Sequence, residues 1–121
     1  MFNILAVDDD EMICELISDF LIQRGYGIQT VNSGEAALEI ISQKKPDLVL
    51  LDLAMPGMDG EETLKEIKKR YQDLTVIIVS VMTDEKKARR LLQEGASDYI
   101  VKPINFHYME ENLLVWQTLQ E

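Results

Sequence analysis

Pro46-Asp47-Leu48-Val49-Leu50-Leu51-Asp52-Leu53-Ala54-Met55-Pro56-Gly57-Met58-Asp59-Gly60 is the stretch that decides the fold. Leu48 to Leu51 has no polar alternate position, which is the pattern of a strand covered on both faces. The run ends abruptly in a carboxylate, Asp52, and Pro56, Gly57 and Gly60 then signal a loop. Val76-Ile77-Ile78-Val79 is a second run of this kind, and Ile4-Leu5-Ala6-Val7 is a third that also ends in acid. Shorter strands are read at Ile28 to Val31 and Tyr99 to Val101.

Amphipathic stretches separate these strands. Glu11 to Arg24 carries Ile13, Leu16, Ile17, Phe20 and Leu21 at helical spacing, and Gly25 and Gly27 break it. Asn32 and Ser33 can cap a helix from Gly34 to Lys44, with Ala37, Leu38, Ile40 and Ile41 inward and Pro46 beyond its end. Glu61 to Tyr71 is helical with Leu64, Ile67 and Tyr71 inward. Thr83 to Glu94 is helical with Ala88, Leu91 and Leu92 inward, and Gly95 stops it. A last helix starts near Asn105. Five strand–helix units with doubly apolar strands call for a parallel sheet with helices on both faces. No internal repeat, linker or low-complexity segment interrupts residues 1–121, so one domain is expected.

Length and composition agree. A 121-residue chain lies in the ordinary range for one domain and needs no disulfide or structural metal to fold. Hydrophobic residues make up 46% and charged ones 28%, values that argue against disorder. The 22 acidic side chains exceed the 12 basic ones, giving a net charge of -10, which disfavours direct nucleic-acid binding. Cys14 is the only cysteine, which excludes an intrachain disulfide and a multi-cysteine zinc site and fits a cytoplasmic setting. Met1-Phe2-Asn3 lacks the basic flank of a signal peptide. No apolar stretch approaches the roughly 18 residues of a membrane span.

The polar residues gather at strand ends. Asp8, Asp9 and Asp10 follow the first strand, Asp52 the third, Ser80 the fourth, and Lys102 and Pro103 the fifth. In open α/β sheets ligands bind outside these carboxyl ends, where strand order reverses. Clustered carboxylates invite a hard divalent cation. Without His or Cys nearby, Mg²⁺ is the natural occupant. The Ser80 hydroxyl and Lys102 ammonium suit phosphoryl oxygens, and a carboxylate can form an aspartyl-phosphate. No glycine-rich phosphate loop indicates a nucleotide. Each feature has a plainer role: Asp10 serves equally well as a helix cap, Ser80 as a local hydrogen-bonding residue, and Lys102 as a solvated cation.

With these residues the chain resembles the receiver domain of two-component response regulators, of the kind represented by chemotaxis regulators. The resemblance runs over essentially the whole chain. It is carried by Ile4 to Asp10, by Pro46 to Gly60, by Ser80, and by Gly95-Ala96-Ser97-Asp98-Tyr99-Ile100-Val101-Lys102-Pro103. It implies a flavodoxin-like, doubly wound (βα)5 fold with five parallel strands in the order 2-1-3-4-5. It implies Asp52 as phosphoacceptor. Asp9 and Asp52 would be Mg²⁺ ligands, with Asp8 acting mainly through water and the Ala54 backbone carbonyl completing the protein's share. Ser80 and Lys102 would bind the phosphoryl group, the Lys102–Pro103 peptide would be cis, and Tyr99 would turn inward on activation. Tyr99 is equally compatible with a half-buried strand position. The implied partners are a histidine kinase or phosphotransfer protein as donor. An effector or second copy would meet the face formed by the fourth helix, fifth strand and fifth helix.

Departures from the family pattern set further expectations. Val81 stands where a small residue is usual, and its branched side chain is expected either to narrow access to Asp52 and slow phosphoryl transfer or to be harmless. Ala54 and Met82 hold positions that modulate dephosphorylation. Lys86, Lys87, Arg89 and Arg90 form a solvated stripe or pair with acidic residues of a partner. Leu113-Leu114-Val115-Trp116 is apolar around its full circumference, so one side is expected to meet something beyond a lone protomer, and the helix can continue past Glu121 in a longer chain. His107 lies away from the strand ends and is not expected to transfer phosphate. The alternatives are a receiver-like interaction module that is never phosphorylated and an aspartyl-phosphate phosphatase. A phosphatase usually places a second acid two residues beyond the nucleophile, where this chain has Ala54.

Overall fold

The computed structural model describes residues 1–55, 57–81 and 84–120. Five strands alternate with five helices: β1 (Asn3–Val7), α1 (Glu11–Gln23), β2 (Gly27–Val31), α2 (Gly34–Gln43), β3 (Leu48–Leu51), α3 (Gly60–Arg70), β4 (Thr75–Ser80), α4 (Glu85–Gln93), β5 (Asp98–Val101) and α5 (Phe106–Leu119). The sheet is parallel throughout, in the order β2-β1-β3-β4-β5. The first crossover reverses direction relative to the rest, so the switch point lies between β1 and β3.

The doubly apolar strands split their side chains between two cores. Leu5, Val7, Val49, Leu51, Val76 and Ile78 face α2, α3 and Leu91 of α4. Ile4, Ala6, Leu48, Leu50, Ile77 and Val79 face α1 and α5. This is the period of two acting on a sheet covered on both sides. Each fully buried Leu or Ile contributes about 1.5–3 kcal/mol of transfer free energy.

Asp10, Ser33, Asp59, Asp84 and Asn105 cap the five helices, each side chain accepting backbone N–H bonds from the first turn. Gly95 follows the C-cap of α4 with φ 117, a conformation that L side chains rarely adopt.

Three expected inward positions lie outside the core: Ala88 is partly buried, and two leucines are exposed. Leu16 is 51% and Leu92 44% exposed. In α1 the inward stripe runs through Cys14, Ile17 and Leu21, so Leu16 sits about 100° from Ile17 and faces water. Leu91 takes the single fully buried place on α4, and its neighbour Leu92 is turned away for the same reason. On α5, Leu113 is buried and Trp116 packs against the α1/α5 core, whereas Leu114 and Val115 are exposed. The expected helix start at Thr83, and Met82, lie outside the described residues; α4 begins at Glu85.

Candidate functional site

The register builds the site. Val7 pairs with Leu51, and the Asp52 N–H donates to the Val7 carbonyl at 2.9 Å, which places Asp8 and Asp52 side by side beyond adjacent strand ends. Ser80 pairs with Val101, and the Lys102 N–H donates to the Ser80 carbonyl at 2.8 Å. Four strand ends thus bring Asp8, Asp52, Ser80 and Lys102 to one edge of the sheet.

Asp8, Asp9 and Asp52 offer carboxylate oxygens that lie within 4.8 Å of one another. Asp8 and Asp52 are buried and Asp9 is exposed, so the cluster is open on one side. Lys102 is the cation against it. Its Nζ donates to Asp8 Oδ2 at 2.7 Å and stands 3.5 Å from Asp52 Oδ1. The Lys102–Pro103 peptide is cis. Burial pushes the Asp52 carboxyl above its ordinary range, and the Asp8 charge adds to this, while Lys102 opposes it. For Lys102, burial alone would lower the ammonium. The Asp8 hydrogen bond and the charges of Asp52 and Asp8 together outweigh burial and hold it above its ordinary value.

Asp10 has separated from its neighbours. Its Oδ1 accepts from the Met12 and Ile13 N–H groups at 3.0 and 3.3 Å, and its own N–H donates to Asp8 Oδ1 at 2.9 Å. It caps α1 and braces Asp8. Ala54 donates its N–H to Asp52 Oδ1 at 3.4 Å.

Ser80 is buried, and its side chain lies in hydrogen-bonding reach of the Tyr99 hydroxyl. The Tyr99 ring is half-buried and packs on the α2/α3 side of the sheet. Burial raises the Tyr99 phenol above its ordinary value, Ser80 lowers it, and Asp84 raises it. Val81 is 67% exposed. His107 lies on the open face of α5, 3.2 Å from Glu111 and away from the aspartates.

Three contributors escaped the sequence. Cys14 Sγ donates to the Asp8 carbonyl at 3.3 Å, and burial, then the Asp8 and Asp10 charges, keep this thiol above its ordinary value. Its place among the inward residues of α1 was a usable signal. Gly60 packs its Cα on the acceptor segment: a Cβ there would stand 2.3 Å from the Asp52 carbonyl oxygen and 2.4 Å from Leu53 Cα. Glu61 pairs with Lys87 and Arg90 of α4. No local pattern marks that pairing, because the helices meet only in the fold. A groove of about 750 Å³, lined in part by Asp8, Glu11, Met12, Thr30 and Asn32, opens beside the cluster.

Chemically, this edge offers oxygen ligands for a hard cation, a carboxylate beside a fixed ammonium, and a hydroxyl on the neighbouring strand. Among the described residues no helix is long and apolar enough to cross a membrane.

Known proteins match this chain in sequence and fold. The model of the response regulator receiver domain matches residues 4–114. A probable C4-dicarboxylate response regulator, DctR of Bacillus subtilis, is 38% identical over 114 residues, which are 93% of this chain and 50% of that protein. The transcriptional regulatory protein ZraR of Escherichia coli is 39% identical over 111 residues, 92% of this chain and 25% of that protein. The chain thus spans half the length of DctR and a quarter of that of ZraR. Among solved structures, the response regulator TrrA of Thermotoga maritima, in complex with Mg²⁺ and BeF, is 35% identical with a TM-score of 0.87, covering 96% of this chain and 99% of that one. The receiver domain of RstA from Klebsiella pneumoniae, BeF3-activated, is 29% identical with a TM-score of 0.88, covering 93% and 96%. Receiver domains of response regulators are generally signalling domains rather than enzymes. By its sequence, topology and strand-end site, this chain belongs to the response regulator receiver domain family, the phosphorylation-activated switches of two-component signalling.

Proposed function

We propose that Asp52 is the phosphoacceptor of this receiver, and that a histidine kinase or phosphotransfer protein is its donor. The carrying observation is the placement of Asp52 between two carboxylates and one ammonium at the sheet's switch point. An Asp52 carboxylate oxygen bonds phosphorus while the donor's own bond to phosphorus breaks and its electron pair leaves with the donor. Asp8, Asp9, Asp52 and the Ala54 carbonyl would hold Mg²⁺, which supplies charge neutralisation at the phosphoryl oxygens when bound. Burial first and then the neighbouring Asp8 charge raise the Asp52 pKa, and a cation held by these carboxylates would relieve both.

The chain's own residues do the rest. Lys102, 2.7 Å from Asp8 and 3.5 Å from Asp52, needs only a rotation of its flexible side chain to meet a phosphoryl group on Asp52. Phosphorylation adds about 1.5–2 negative charges and new acceptor oxygens. The Ser80 hydroxyl donates to one of them and loosens its link to Tyr99, whose ring then repacks inward. The change biases a two-state equilibrium of the α4-β5-α5 face, which meets an effector or a second copy. The domain works in the cytoplasm.

The test is mass spectrometry after incubation with Mg²⁺ and acetyl phosphate. An adduct of about 80 Da, absent in Asp52→Asn, is expected. A parent that gains no adduct would favour the interaction module instead. Ala54 offers no acid for a phosphatase mechanism.

A further inference from the structure

Glu61, in the first turn of α3, holds two cations of α4. Lys87 Nζ lies 3.3 Å from its Oε2, and an Arg90 guanidinium N–H donates to its Oε1. The Glu61 and Lys87 side chains are about three-quarters buried and Arg90 is exposed. Glu94 flanks Arg90 at 3.9 Å. The apolar hold on α4 is slight by comparison: Leu91 is its single buried side chain, whereas the other four helices bury two to four residues each.

Both ends of this tether begin at the aspartate site. Glu61 follows Gly60, which packs directly on the Asp52 carbonyl. The cap of α4, Asp84, lies four residues after Ser80. Moving Ser80 onto a phosphoryl oxygen pulls on the chain that enters α4, and the Glu61 contacts resist that pull.

We propose that Glu61 is a positioning residue, tethering α4 to the start of α3 through Lys87 and Arg90 and thereby setting how readily α4 shifts when Asp52 is phosphorylated. The proposal rests on Asp52 being the phosphoacceptor. A contact that resists the shift of α4 disfavours the shifted arrangement, so cutting it raises that arrangement's population.

The experiment follows adduct growth by mass spectrometry on the whole chain with Mg²⁺ and acetyl phosphate, in the parent, Glu61→Gln, Arg90→Gln, the double variant and Arg89→Gln. Glu61→Gln and Arg90→Gln are each expected to accelerate the adduct by about two- to five-fold, the scale of one surface ion pair. Glu61→Gln cuts the links to both Lys87 and Arg90 and Arg90→Gln only the second, so the double variant is expected to be no faster than Glu61→Gln. Arg89, which points to solvent, is expected to leave the rate unchanged. The two singles remove opposite charges, so an effect on the field at Asp52 would move their rates in opposite directions. That result, unchanged rates, or slower rates in both would overturn the tether. A parent without any adduct would overturn the phosphoacceptor assignment itself.

Discussion

Replacing Lys102 by Met tests the electrostatics on which the site depends. The Lys102 and Asp8 side chains are only 11% and 4% exposed, and Asp52 is 6% exposed, so this is a buried cation facing two buried acids. Met keeps most of the aliphatic stem and deletes the charge. Breaking one side of a buried pair costs about 3–5 kcal/mol. Asp9 is exposed and water reaches the cluster, which places the loss near the lower end. For a domain of this length, about 3 kcal/mol lowers Tm by roughly 10–15 °C. The pH dependence fixes the cause. Asp52 already has a folded-state pKa above its unfolded value. A carboxylate of that kind contributes stability below its unfolded pKa and loses it as pH rises through the folded one. Removing Lys102 widens that interval, so the variant is expected to fall furthest behind the parent at neutral pH and to recover as the carboxylates protonate. Thermal melts followed by circular dichroism, in chelator, at neutral and mildly acidic pH, measure this. Saturating Mg²⁺ is expected to restore part of the loss by binding only the folded form. A deficit that is the same at both pH values and indifferent to Mg²⁺ would show that lost packing, not charge, destabilises the variant.

Three other substitutions probe separate parts of the site. Gly60→Ala forces a Cβ against the Asp52 carbonyl and Leu53 Cα, both backbone. It is expected to cost about 1–3 kcal/mol in denaturant titration and to slow adduct formation. Asp10→Ala removes the α1 cap and is expected to cost about 1 kcal/mol while leaving the Mg²⁺ affinity within about two-fold, measured by calorimetry. A large loss of affinity would make Asp10 a ligand after all. Val81→Ala, at an exposed position, is expected to stay within about 0.5 kcal/mol of the parent and to accept phosphate faster; an unchanged rate would show that Val81 does not gate Asp52.

The sheet was legible because three of its strands contain four consecutive apolar residues. A strand with both faces buried cannot keep a polar alternate, so Leu48 to Leu51 and Val76 to Val79 announced a parallel sheet before any pairing was known. Helix termini were legible where a cap carried the signal, as at Ser33 and Asn105. The inward faces of α1 and α4 were less so. Leu16-Ile17 and Leu91-Leu92 are adjacent apolar pairs, and two neighbours on a helix are about 100° apart, so one of each pair must turn outward. Which one depends on where the sheet lies, and that is a property of the assembled fold.

The same distinction divides the site. Asp8, Asp52, Ser80 and Lys102 each end a strand, and a parallel sheet sends all strand ends to one edge, so their convergence follows from the sequence once the strands are known. The run Asp8-Asp9-Asp10 gives no hint of its division of labour: Asp8 is buried against Lys102, Asp9 stays open to water, and Asp10 turns back to cap α1. That division comes from the change of backbone direction between β1 and α1. The basic stripe of α4 splits in a similar way. Lys87 and Arg90 are taken up by Glu61 within the chain, and Lys86 and Arg89 are left facing out. An acidic partner of this helix would therefore find two outward-facing cations where the sequence showed four, Arg89 among them loosely paired with Glu85 at 3.9 Å, and engaging the other two would mean competing with Glu61. Partner binding on α4 and the position of α4 would then be linked through the same carboxylate.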